Sequence, residues 1–140
     1  MKLDIAQKIV TAALAHARSK SMKPLSVVIL DDRGALKAAA SEDGTSLKRA
    51  EIAIAKAHGA LAMGMGTRAL FTRAQQQPYF IAAATHAVGQ LVPVPGGVLI
   101  YAADKTLLGA IGISGDTSDN DEEAALAGIG AAGLTGDPGA

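Results

Sequence analysis

The stretch Leu25-Ser26-Val27-Val28-Ile29-Leu30-Asp31-Asp32-Arg33-Gly34 decides the architecture. Its β-branched run ends in Asp and Gly, which accept the backbone of a tight turn, and residues 35–41 then return as a second strand, so the segment reads as a β-hairpin. Pro24 separates it from what precedes. There, Leu3, Ile5, Ala6, Ile9, Val10, Ala13, Leu14 and Ala17 recur at spacings of three and four, which predicts a helix over residues 3–19. The apolar arc of that helix covers about half its circumference, wider than one packing surface needs, and implies two contacts.

Downstream, Glu42-Asp43-Gly44-Thr45 is a second turn, and Thr45 or Ser46 is placed to cap a helix running to about Met63, with Leu47, Ala50, Ile54, Ala57 and Leu61 on its apolar side. Gly64 and Gly66 end it, and Thr67 is placed to cap a short helix through about Arg73. Gln75-Gln76-Gln77-Pro78 reads as a loop, and residues 79–85 as a further short helix or an irregular wall. From Gln90 the pattern turns to strands over residues 90–94, 98–102 and 107–114, divided by Pro95-Gly96-Gly97 and Ala103-Asp104-Lys105. Asp119-Asn120-Asp121-Glu122-Glu123 then opens an Ala-rich helix, with Asp119 and Glu122 approximating a capping box. Residues 1–135 are expected to form a single domain and 136–140 a frayed tail. The order of elements excludes a parallel βαβ repeat and predicts an α+β fold: about five antiparallel strands flanked by helices.

Composition narrows the functional classes. With 140 residues, no Cys, no Trp, two Tyr and two Phe, the chain is no disulfide scaffold. Basic and acidic residues balance at 13 each, so no global field draws it to a phosphate backbone, and no nucleic-acid partner is expected. No targeting segment and no run of ~18 apolar residues is visible, so a cytoplasmic protein without a membrane partner is expected. Ala and Gly make up about a third of the chain, and large apolar side chains are scarce. Such a core gains burial from subunit contacts, and a homo-oligomer is expected. Residues 1–73 carry 12 basic and 6 acidic side chains, and residues 74–140 carry 1 and 7. Either the two halves neutralise each other within the fold, or the acidic end of one subunit meets the basic face of another.

The three histidines, His16, His58 and His86, lie far apart in a chain without Cys, so no metal site is expected. His16 falls on the apolar arc of the first helix and His58 beside the apolar stripe of the second. Either is a hydrogen-bonded core or interface histidine, or an axial haem ligand or titrating group. Ser114 in Gly112-Ile113-Ser114-Gly115 does not match a nucleophile elbow, and Gly109-Ala110-Ile111-Gly112 is no phosphate loop. The glycines at Pro95-Gly96-Gly97 and Gly112 to Gly115, beside the start of the last helix, either are structural turns or offer backbone N–H groups to a carboxylate.

Pro93-Val94-Pro95-Gly96-Gly97-Val98, then Leu108-Gly109-Ala110-Ile111-Gly112-Ile113-Ser114-Gly115, then Asp121-Glu122, resembles the signature of the GlcG/HbpS family, which includes the carboxy-terminal domain of PduO. Residues 27–34, Asp43-Gly44 and Ile54-Ala55-Lys56-Ala57 match in order and spacing, so the likeness spans essentially the whole chain. It implies a five-stranded antiparallel sheet in profilin-like α-β-α layers, oligomers that are octamers in some members, and haem binding or degradation. The chain departs from the family at Met22, at His58 and at Gln77-Pro78-Tyr79-Phe80-Ile81-Ala82.

Three functions follow as expectations. In a haem-binding protein, His16 is the haem ligand. In a small-molecule enzyme of isomerase or lyase type acting on a carboxylated catabolic intermediate, Pro95, Gly96, Gly97, Ser114 and Gly115 bind the small organic acid, and Lys56, His58, Asp43 or Asp121 moves protons. The third is a structural oligomer without a ligand.

Overall fold

Alternation along the hairpin strand sorts its side chains onto two faces, and the neighbouring strands continue the division. The computed structural model describes residues 1–140, with α1 (Leu3–Ser19), β1 (Ser26–Asp31), β2 (Leu36–Ser41), α2 (Arg49–Met63), α3 (Thr67–Gln76), α4 (Pro78–Val88), β3 (Gly97–Tyr101), β4 (Leu107–Ser114), α5 (Ser118–Ala131) and β5 (Thr135–Asp137) in chain order. The strands form one five-stranded sheet in the order β2-β1-β4-β3-β5, and every neighbouring pair is antiparallel. The α+β fold expected from the order of elements is therefore the one observed.

On one face, Val27, Ile29, Val98, Ile100, Ile111 and Ile113 pack with Ile9 and Ala13 of α1 and Ala125 and Ile129 of α5. On the other, Val28, Leu30, Leu99 and Ala110 meet Ala53, Ala57 and Ala60 of α2. Each fully buried Val, Leu or Ile contributes roughly 1.5–3 kcal/mol, so the β-branched strands carry most of the hydrophobic stabilisation. The alanines act differently, letting the helices approach closely. Gly112 and Gly97 are register partners on β4 and β3, and both lie under α2. A side chain on Gly112 would overlap the Ala53 carbonyl, and one on Gly97 would come within 2.5 Å of the Lys56 carbonyl oxygen.

The expected strand over residues 90–94 is absent. Pro93 and Pro95 have no N–H to give a ladder, Val94 N–H turns back to the Val92 carbonyl, and Leu91 packs on Leu70 and Ile81. The fifth strand is β5, which pairs Asp137 with Leu99 and Gly136 with Ile100. Pro138, just after β5, also accepts a hydrogen bond from Arg68 N–H.

Caps differ as well. α2 begins at Arg49 with no side-chain cap, so neither Thr45 nor Ser46 caps it, and Leu47 is 86% exposed instead of lying on an apolar side. Gly66, not Thr67, occupies the N-cap position of α3. Thr117, not Asp119, caps α5, its hydroxyl accepting from Asn120 N–H. Residues 79–85 lie within the regular helix α4, which starts on Pro78. No helix is long and apolar enough to cross a membrane.

Candidate functional site

α2 carries Lys56 into the angle between β4 and the start of α5. The side chain is buried, and Nζ donates to the Ile113 carbonyl at 2.8 Å and to Asp121 Oδ2 at 3.1 Å. The other carboxylate oxygen of Asp121 accepts from Asp116 N–H at 3.0 Å. Burial pushes the Lys56 ammonium down and the Asp121 carboxyl up from their ordinary values, and each charge partly offsets the shift of the other. The Pro95-Gly96-Gly97 turn is shaped around this pair. Gly96 has φ +121°, and a side chain there would sit 2.8 Å from Lys56 Nζ.

One of the turn amides is engaged within the protein. Gly97 N–H donates to Thr67 Oγ1 at 2.8 Å, and the Thr67 hydroxyl donates back to the Gly97 carbonyl at 3.3 Å. Gly115 lies against the Pro24 carbonyl, where a side chain would overlap. Ser114 is buried, and its hydroxyl accepts from Arg49 Nη1 at 3.1 Å. Pro95 lines a small cleft of about 160 Å³ with Phe71, Val94, Thr117, Ser118 and Asp119. Lys56, Asp121, Gly96, Gly97 and the end of β4 are therefore brought together, in a buried cluster centred on the Lys56–Asp121 pair.

His58 and Asp43 stand outside it. Residues two apart on a helix do not face the same way, and His58 looks away from Lys56: its Nδ1 lies 2.7 Å from the Gln90 carbonyl, and it borders a shallow cleft with Asp32, Arg33 and Leu61. Asp43 is on the exposed turn before α2, in a cleft with Arg18, Pro24, Ser41 and Glu42. His16 bridges the other helix layer, with Nε2 2.7 Å from Glu123 Oε2. No three His, Asp or Glu side chains converge as a metal site.

Several side chains that organise this region are not evident from sequence pattern. Arg68 reaches from α3 to both carboxylate oxygens of Glu122, at 3.2 and 3.0 Å, and to Asp119; these carboxylates raise its pKa further. Asp116 accepts from Lys23 N–H at 2.6 Å, from Thr117 N–H at 2.7 Å and from the Asn120 amide at 2.9 Å. The backbone donors hold its carboxyl below the ordinary 3.8, that of Lys23 contributing most. The unfolded chain then binds a proton that the folded chain does not, so this tether stabilises fully above the unfolded pKa and is lost as pH falls through the lowered folded value. Asp116→Asn is expected to lose stability less steeply than the wild type over that acid range, as read by denaturant titrations at a series of pH values. The acidic run 119–123 signals a helix start, but none of its residues caps, and nothing local distinguishes those that pair with Arg68, Lys56 or His16.

A family model described as haem degrading protein HbpS-like matches residues 1–130. The crystal structure of a PduOC:haem complex is similar, with a TM-score of 0.85 and 26% identity over 96% of each chain. That of HbpS has a TM-score of 0.80 and 26% identity, over 93% of this chain and 88% of the other. Klebsiella pneumoniae protein ORFY, at TM-score 0.84 and 20% identity over 95% of this chain and 90% of the other, shares the fold. Among curated proteins, none matches the sequence.

Proposed function

The chain belongs to the HbpS-like family, and from that premise we propose that it binds haem non-covalently, with His16 as the axial ligand. The observation that carries this reading is the setting of His16 on the α1–α5 seam. Its imidazole is 25% exposed, and its one partner, the Glu123 carboxylate, is 52% exposed and free to turn away. Ala12 and Ala127, one turn from His16 and Glu123 on their own helices, are half-buried and present only methyl groups. A flat macrocycle laid along the seam meets no long side chain at those positions. Bound there, haem would supply a redox-active iron. α1 and α5 cover one face of it, and we assign the other to a second copy of the chain, as the scarcity of large apolar side chains favours.

Glu123 competes for the same Nε2 atom that an iron would take. The exposed pair holds His16 in place and opposes ligation by no more than a surface ion pair provides, about 0.2–1 kcal/mol. Lys56 and Asp121 serve in this reading as the clamp of the glycine turn, since neither reaches solvent.

Hemin titration followed at the Soret band tests the proposal. Wild type is expected to saturate, His16→Ala to bind at least about tenfold more weakly, the equivalent of 1.4 kcal/mol, and Glu123→Ala to bind about two- to fivefold more tightly. A non-saturating wild type, or a His16→Ala variant indistinguishable from it, overturns the assignment.

A further inference from the structure

Register places three serines in one row across the sheet, Ser41 on β2 beside Ser26 on β1, and Ser26 beside Ser114 on β4. They lie on the face that α2 covers, where the same strands otherwise present Val28, Leu30 and Ala110. Ser26 and Ser114 are wholly buried. A buried hydroxyl is retained at a net cost unless its donors and acceptors are met. Ser26 and Ser41 satisfy each other at 2.8 Å. Ser114 accepts from Arg49, which leaves its own O–H without an acceptor in the protein.

Arg49 stands at the end of that row. Its Nε donates to Ser46 Oγ at 3.2 Å and its Nη1 to Ser114, so neutral hydroxyls hold the guanidinium at two points while no carboxylate approaches it. Every other arginine that donates to a buried or half-buried side chain has a partner of another kind: Arg18 pairs with Glu42, Arg68 with Asp119 and Glu122, and Arg73 bonds Gln77 and lies over the Phe80 ring. The acids nearest Arg49 in sequence do not reach it. Glu42 is taken by Arg18 and by Leu25 N–H, Glu51 pairs with Lys48, and Asp43 makes no ion pair. The buried Lys56 feels the Arg49 charge as a like charge, and Asp121, the ion-pair partner of Lys56, makes no contact with Arg49. Donors are in excess around Arg49.

We propose that Arg49 anchors a binding site for a small oxyanion, a carboxylate or phosphate group, held by the guanidinium donors that Ser46 and Ser114 leave unused. The two hydroxyls pre-orient the fork, and a planar guanidinium presents paired donors to two oxygens of such a group. The uncapped start of α2 adds favourable polarity to an anion there. This site is on the α2 side of the sheet, opposite His16, and does not depend on haem binding. It also relocates the carboxylate contact expected of the glycine turn, whose Gly97 amide Thr67 already engages.

Calorimetric titration of the full chain with inorganic phosphate and with acetate, at ionic strength matched with chloride, tests it. Saturable binding of one or both is expected; phosphate alone identifies a phosphate group as the ligand, and acetate an organic acid. Arg49→Gln should weaken it at least tenfold, and Arg49→Lys, which keeps the charge but loses the fork, severalfold, while Arg33→Gln on the far turn leaves it unchanged and Arg49→Gln leaves hemin titration unchanged. Absence of saturable binding of either anion by the wild type, or equal binding by wild type and both Arg49 variants, overturns the proposal.

Discussion

Asp121→Ala is expected to destabilise the protein by about 3–5 kcal/mol, because it leaves the Lys56 ammonium buried with no counter-charge. It also removes the acceptor of Asp116 N–H, a bond at the entry to α5. Against a total stability of about 5–15 kcal/mol for a domain of ordinary size, the loss approaches unfolding at ambient temperature. The effect has a pH signature. With Asp121 gone, Lys56 gives up its proton more readily in the folded than in the unfolded chain, so the variant regains stability as pH rises toward the ordinary lysine value of 10.5. Replacing both partners by Lys56→Met with Asp121→Asn restores most of the loss, since the buried charge is removed and the amide oxygen still accepts from Asp116. Urea denaturation of the wild type and the two variants at neutral pH and near pH 10 reads all of this. A loss below about 1 kcal/mol for Asp121→Ala, the value of an exposed pair, would show that Lys56 reaches water.

Gly112→Ala is expected to cost about 3 kcal/mol or more, at or beyond the upper end for overpacking. The added methyl group would overlap the Ala53 carbonyl and lie 3.0 Å from Ala57 N. Both are backbone atoms of a helix fixed by its own hydrogen bonds, so no side-chain rotation relieves the clash. The sheet cannot yield either, since Gly112 is paired on both sides, with Val28 and with Gly97. Gly130→Ala provides the contrast: nothing lies within 4 Å of its added carbon, and in the last turn of α5 the change stabilises by up to about 0.5 kcal/mol, the low end of the helix-interior range. Thermal melts of the two variants should move in opposite directions. A Gly112→Ala melt unchanged from wild type would mean that α2 is not seated on β4 as described.

These two sites also show what local pattern can and cannot reveal. The hairpin 25–41 was legible from its β-branched run and its Asp-Gly turn, α1 from apolar spacing set by burial of one side, and the Ala-rich α5 from its acidic start. The glycines of β4 were recognisable as close approaches, while what approaches them, the α2 backbone at Gly112 and the β1 backbone at Gly109, depends on tertiary packing. Val92 and Val94 have the β-branched character of a strand, and the prolines between and after them abolish the pairing. β5 is short and consists of Thr135, Gly136 and Asp137, with no apolar alternation to announce it; its pairing is imposed by the edge of β3.

At the site, Lys56 and Asp121 could each be singled out, one from a family motif and one from an acidic run. Their union across 65 residues of chain has no local signature. The same holds for His16 and Glu123, which are 107 residues apart, and for Arg49 and Ser114, which are also 65 apart. His58 and Asp43 shared sequence neighbourhoods with Lys56 and with the turn before α2, yet helical phase and the exposed position of the turn carry them away from the cluster. Proximity in sequence was a poor guide to assembly here, because α2 presents different residues to the sheet and to solvent.

Haem ligation by His16 is tested most directly by resonance Raman spectroscopy of the reduced haem complex of the whole chain, made with natural and with ¹⁵N-histidine-labelled protein. An iron–histidine stretching band that shifts on labelling, and that is lost in His16→Ala while persisting in His58→Ala and His86→Ala, is the predicted result. A label-sensitive band that survives in His16→Ala, or a haem complex of the wild type with no label-sensitive band at all, would contradict it.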